Sequence, residues 1–109
     1  MSDELTEEHL EGFERVCTVD EVPEQMPRRV KVDGRGVLVC RSGDEIFAVD
    51  EICPHKNRSM KWGVLFQGKI ICPHHQYQFD LQTGRCNQRC APVQTYEVKI
   101  VDGQVWVRP

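Results

Sequence analysis

Two short segments of this chain each pair a cysteine with a histidine: Cys53-Pro54-His55 and Cys72-Pro73-His74-His75, with sixteen residues between His55 and Cys72. As a pattern this is C-x-H, a gap, then C-x-x-H. Each segment offers one thiolate and one imidazole. Two thiolates can hold one iron of a [2Fe–2S] cluster while two imidazoles hold the other. Cys53, His55, Cys72 and His75 are therefore the candidate metal and cofactor ligands. Zinc also accepts two Cys and two His, but zinc fingers usually group like with like, as C-x-x-C followed by H-x-x-x-H. Mixing the two types within each segment suits a cluster pinched between two loops, each loop giving one ligand to each iron. A disulfide between Cys53 and Cys72 would leave the two histidines unexplained.

Those loops need a rigid support, and the rest of the chain reads as short strands. β-Branched runs recur between turn signals: Val30 to Val32, then Asp33-Gly34, then Val37 to Cys40, then Gly43, then Ile46 to Val49. The C-terminus repeats the theme with Thr95 to Val101, Asp102-Gly103, and Gln104 to Val107. Asp-Gly between apolar runs is a strong hairpin signal. The expectation is an all-β, antiparallel chain. Residues 52–92 differ in character. They hold both ligand segments, a hairpin centred near Gly68, and the run Gln76 to Asp80. Residues 1–12 are an acidic N-terminal segment, read as one short helix or a frayed end.

In these features the chain resembles the Rieske ferredoxin family. Cys53-Pro54-His55 matches its first ligand loop and Cys72-Pro73-His74-His75 its second. Phe79-Asp80 followed by Thr83-Gly84 matches the strand and turn after the second loop, and Ala91-Pro92 the proline loop on the cluster's third side. The resemblance implies a Rieske fold: an antiparallel β-sandwich framework with a small inserted cluster-binding subdomain, about residues 52–92, in a single domain over 1–109. It implies one [2Fe–2S] cluster, with Cys53 and Cys72 on the buried iron and His55 and His75 on the iron nearer the surface. It also favours His75 over its neighbour His74 as ligand. High-potential members carry serine and tyrosine hydrogen-bond donors where this chain has Tyr77, whose hydroxyl sits on a much longer side chain than that of serine, and Phe79, which has no hydroxyl, and they carry an extra cysteine in each loop. These absences place the expected potential at the low end of the class range, about −150 mV.

At 109 residues there is room for one domain. No apolar run has transmembrane length, and the acidic N-terminus lacks a secretory pattern. A cytoplasmic location is expected, with no membrane contact. In a reducing compartment the remaining cysteines are expected as thiols. Cys17 and Cys40 read as small buried residues. Cys86 and Cys90, spaced C-x-x-x-C, have a disulfide or redox role as their alternative. The net charge is −3, but six acids fall within residues 1–14 and none of the bases. Residues 53–90 carry Lys56, Arg58, Lys61, Lys69, Arg85 and Arg89 against Asp80 alone. This is either a solvated surface or a docking face for an acidic partner. Nucleic acid is disfavoured, because the bases lack interleaved aromatics.

No Ser/His/Asp set, phosphate-cradling glycine loop or mononuclear iron triad is present, so no catalytic residues are assigned. The resemblance implies a soluble one-electron carrier, a monomer when isolated, passing electrons from a reductase to a terminal oxygenase. The alternative is the small Rieske subunit of an assimilatory NAD(P)H nitrite reductase, whose first loop Cys53-Pro54-His55-Lys56 resembles. A redox sensor is a third reading.

Overall fold

The computed structural model describes residues 10–54, 57–73, 77–88 and 90–109. Its strands are β1 (Glu14–Thr18), β2 (Arg28–Val32), β3 (Arg35–Ser42), β4 (Glu45–Asp50), β5 (Ile52–Cys53) and β6 (Arg58–Ser59). They continue as β7 (Val64–Phe66), β8 (Lys69–Ile71), β9 (Gln78–Asp80), β10 (Thr95–Val101) and β11 (Gln104–Arg108). The all-β expectation holds. Of the N-terminal segment 1–12, read as a short helix or a frayed end, residues 1–9 lie outside the described residues, and Leu10 to Gly12 form a turn.

Six strands form one antiparallel framework sheet in the order β1-β11-β10-β4-β3-β2. The sheet curls until its edge strands β1 and β2 lie alongside each other. There the Asp33 N–H donates to Glu14 Oε1 at 3.2 Å. The expected Asp-Gly turns are both present: Asp33 and Gly34 have φ of 51° and 81°, and Asp102 and Gly103 have 51° and 75°. Positive φ at both central residues matches the right-handed twist of the flanking strands.

β3 is buried on both faces. Val37 and Val39 point into the framework core with Val32, Ala48, Tyr96, Val105 and Val107. Leu38 and Cys40 point the other way, into a second core with Val49, Met60, Leu65, Ile70, Phe79 and Leu81. Register explains the sorting, because Leu38 pairs with Val49 and Val39 with Ala48. Strand side chains alternate in direction, so each paired row belongs to one face. This is why the segment Val37 to Cys40 reads as an unbroken apolar run rather than an alternating one.

The second core lies beneath the inserted segment. β7, β8 and β9 form a three-stranded sheet in that order, and β5 pairs with β6. Leu65, Ile70 and Phe79 occupy one cross-strand row and turn inward.

Cys17 and Cys40 are buried thiols, as expected. Burial pushes the Cys40 thiol up from 9.0 to about 12. Its folded pKa is raised, so its contribution to stability is complete below pH 9.0 and is lost as pH climbs from there towards about 12. Native protein should resist iodoacetamide at Cys40 at mildly alkaline pH, where the urea-unfolded chain is alkylated; mass spectrometry of both states reads this. Leu38→Ala should cost about 2–5 kcal/mol, seen as a lower urea midpoint with unchanged slope.

Candidate metal centre

Each candidate cysteine stands at the base of a hairpin loop. Cys53 ends β5 and pairs with Arg58 of β6. The Asn57 N–H closes this first loop by donating to the Cys53 carbonyl at 2.8 Å. Asn57 has φ of 54°, a left-handed conformation that asparagine tolerates better than most residues. Cys72 follows β8, just beyond the pair Ile71–Gln78. The Cys72 N–H closes the second loop by donating to the Tyr77 carbonyl at 2.7 Å. Two hairpins thus present one cysteine each, at equivalent points.

Both cysteines are fully buried, and both belong to the second core with Leu38, Met60, Ile70, Phe79 and Leu81. Soft sulfur donors held in an apolar setting fit the thiolate half of an iron–sulfur site. His55, His74 and His75 lie outside the described residues, so the register choice between His74 and His75 does too. Among the described residues, no group of three or more metal-ligating side chains is assembled.

A polar anchor joins the first loop to the framework. Glu51, just before β5, is buried. Its Oε1 meets Arg29 Nε of β2 at 2.9 Å, and the Ser59 hydroxyl of β6 donates to Oε2 at 2.6 Å. Burial pushes the Glu51 carboxyl up, but Ser59 and Arg29 outweigh it and hold the group below its ordinary 4.5. The Glu51 backbone reaches both ways, donating to the Gly36 carbonyl at 3.1 Å and accepting from the Met60 N–H at 2.8 Å. Gly36 makes room for this: a Cβ built there would overlap Glu51 Oε1. Nothing in the local sequence marks Glu51. Beside Asp50 it reads as a surface acid, and Gly36 lies on a different hairpin.

A third loop runs from Gly84 to Val93. Its ends meet where the Val93 N–H donates to the Gly84 carbonyl at 2.8 Å, and a Cβ on Gly84 would overlap the Val93 carbonyl. Asp80 shapes the turn before it, accepting through Oδ1 from the Gln82 and Thr83 N–H groups, both at 2.9 Å. Inside the loop, Cys86 and Cys90 form a disulfide with Cα atoms 5.9 Å apart. The expectation of thiols here gives way to the disulfide alternative. The tight turn through Asn87 and Gln88 brings the two Cα atoms within bridging range. Both half-cystines pack against the core that holds Cys53 and Cys72. Ala91 and Pro92 are exposed.

Two hairpins on a β framework each place one buried cysteine over one shared core, an arrangement that fits the thiolate side of an iron–sulfur domain. Residues 12–100 match the family described as the Rieske [2Fe-2S] domain. The chain belongs to that family, and its cofactor is one [2Fe–2S] cluster. It is 34% identical over 105 residues to the anthranilate 1,2-dioxygenase ferredoxin subunit of Burkholderia cepacia, covering 94% of this chain and 97% of that one. The solved ferredoxin of carbazole 1,9a-dioxygenase from Nocardioides aromaticivorans IC177 superposes with a TM-score of 0.83 at 32% identity, over 89% of this chain and 97% of that one. A putative NADH-dependent nitrite reductase small subunit from Mycobacterium tuberculosis shares the fold, with a TM-score of 0.80 at 21% identity over 87% and 92% of the two chains.

Gly36→Ala should break the anchor by displacing Glu51 from Arg29 and Ser59. The expected cost is about 2–4 kcal/mol in urea unfolding. Iron content per chain should fall with it, because the first loop loses its tie to β2.

Proposed function

We propose that this chain is the ferredoxin component of a ring-hydroxylating dioxygenase system, carrying single electrons from a reductase to a terminal oxygenase. The likeness to the anthranilate dioxygenase ferredoxin subunit, nearly end to end in both chains, carries this reading. Among the described residues no helix is long and apolar enough to cross a membrane. We place the chain in the cytoplasm, as a monomer in isolation.

When bound, the cluster supplies one-electron uptake and release. In this reading Cys53 and Cys72 hold one iron, and His55 and His75 hold the other. The protein's part is to fix the ligands and exclude water. Met60, Phe79 and Leu38 keep the cysteine side dry. The two loop-closing hydrogen bonds hold the cysteines at fixed strand positions, which limits rearrangement when charge arrives. Phe79 sits fully buried and carries no hydroxyl, so it gives no hydrogen bond to sulfur.

Reconstitution decides between the two biological readings. Purified holoprotein should support NAD(P)H-dependent turnover when combined with a flavin reductase and a terminal oxygenase drawn from ring-hydroxylating systems. Omitting it should stop turnover. Failure across such a panel, with tight binding instead to a sirohaem nitrite reductase large subunit, would move the chain to the alternative.

For the ligands, anaerobically purified protein should hold about two irons and two acid-labile sulfides per chain. His75→Ala should abolish normal assembly and His74→Ala should leave it intact; the reverse result would shift the register by one residue. Protein-film voltammetry should give a midpoint near about −150 mV, nearly flat between about pH 6 and 8. A midpoint above about +100 mV would contradict the low-potential reading.

A further inference from the structure

The outer face of the three-stranded sheet is unusual for an exposed surface. β7 turns Leu65 inward and Val64 and Phe66 outward. Trp62 lies two residues before Val64, in the turn that leads into this strand. Trp62, Val64 and Phe66 are 69%, 53% and 60% exposed. The stripe runs up to the candidate metal centre. Val64 pairs with Ile71, the residue before Cys72. Gly63 packs so closely on this strand that a Cβ there would come within 2.7 Å of the Ile71 carbonyl. Trp62 is therefore held beside the start of the second ligand loop, while in sequence it follows the first. Three large exposed apolar side chains within five residues offer apolar area on the order of a few hundred Å², the size that marks interaction sites on monomers.

The surroundings select the partner. The Lys61 ammonium lies 5.7 Å from the Trp62 ring centre. Lys69 pairs directly with Phe66 and shares its face. Arg58 and Arg85 are exposed on the same inserted unit. Acids near the stripe include Glu24, across a groove from Phe66, and Asp80, a carboxylate that its hydrogen bonds keep ionised and that pairs in register with Lys69. Over the inserted unit the balance is positive: among its described residues Arg58, Lys61, Lys69 and Arg85 stand against Asp80 alone. A second copy of this chain would bring lysines against lysines in a two-fold contact, which disfavours self-association here. Strand addition is blocked as well, because the Leu65 N–H at the β7 edge already donates to the Gln25 carbonyl at 3.0 Å.

We propose that Trp62, Val64 and Phe66, rimmed by Lys61 and Lys69, dock an acidic face of the electron-accepting partner protein, with Trp62 as the central anchor beside the metal centre. Aromatic residues ringed by charges are the usual energetic centre of such contacts, and the charges steer encounter. The inference rests on the carrier reading above and adds the surface that serves it.

The test uses reduced holoprotein and the terminal oxygenase that it reduces in the reconstituted assay, mixed by stopped flow. Trp62→Ala and Phe66→Ala should each raise the half-saturating carrier concentration at least tenfold, and Lys61→Gln with Lys69→Gln should flatten the ionic-strength dependence of the second-order rate. Iron content, midpoint potential and reduction by dithionite should stay at wild-type values in all three variants. Wild-type transfer rates in the Trp62 and Phe66 variants would overturn the surface while leaving the carrier reading intact. Loss of transfer together with altered iron content or potential would also overturn it, by making these residues structural. So would a wild-type dimer in sedimentation that Trp62→Ala dissociates. Wild-type protein that reduces no oxygenase would defeat the carrier reading itself.

Discussion

Strand β3 is the shared wall on which both halves of the molecule rest. Its four central residues are wholly desolvated, two on each face. One face closes the framework core and the other forms the floor under the cysteines. A small domain buries a limited fraction of its surface, so a strand used twice matters more here than in a larger protein. It also couples the halves. A packing change on one face must be absorbed by a backbone that the opposite face holds in place.

The metal-binding half is tied down at three points of different chemistry. The first loop is held by a buried ion pair and hydroxyl through Glu51, Arg29 and Ser59. The second is held by strand pairing and the inward row Leu65, Ile70 and Phe79. The third is closed by the contact of Gly84 with Val93 and stiffened locally by a disulfide. A ring of so few residues removes little chain entropy, so that disulfide shapes its loop more than it stabilises the fold. The buried carboxylate is a costly device unless both partners stay in place. Its value here lies in direction, since it fixes where β5 leaves the framework.

Much of the architecture was legible in the sequence because its signals are local. Asp33-Gly34 and Asp102-Gly103 demand positive φ at adjacent residues, and few structures other than tight hairpins offer that. The paired cysteine segments were legible because ligand chemistry restricts both residue type and spacing. Glu51 was not legible, because its meaning depends on Gly36 and Arg29, which approach only when β2 and β3 pair. Cys86 and Cys90 were misjudged because compartment was given more weight than the turn between them. The stripe of Trp62, Val64 and Phe66 was hidden for a simpler reason. Alternation along so short a strand does not say which face meets water until the neighbouring strands are in register.

The sheet edges bear on how this protein behaves in company. In the framework, β1 and β2 guard each other. In the smaller sheet, β7 is capped through Gln25, and β9 is flanked by the segment from Arg85 to Asn87, where Asp80 and Asn87 donate across the gap. Among the described residues these two sheets therefore show sticky side chains without an open backbone ladder beside them. Unpaired edges recruit further strands and lead towards aggregation and persistent assemblies. Side-chain contact alone can be made and broken repeatedly. A chain built this way can be present at high concentration, meet many neighbours through one apolar face, and let go of each of them.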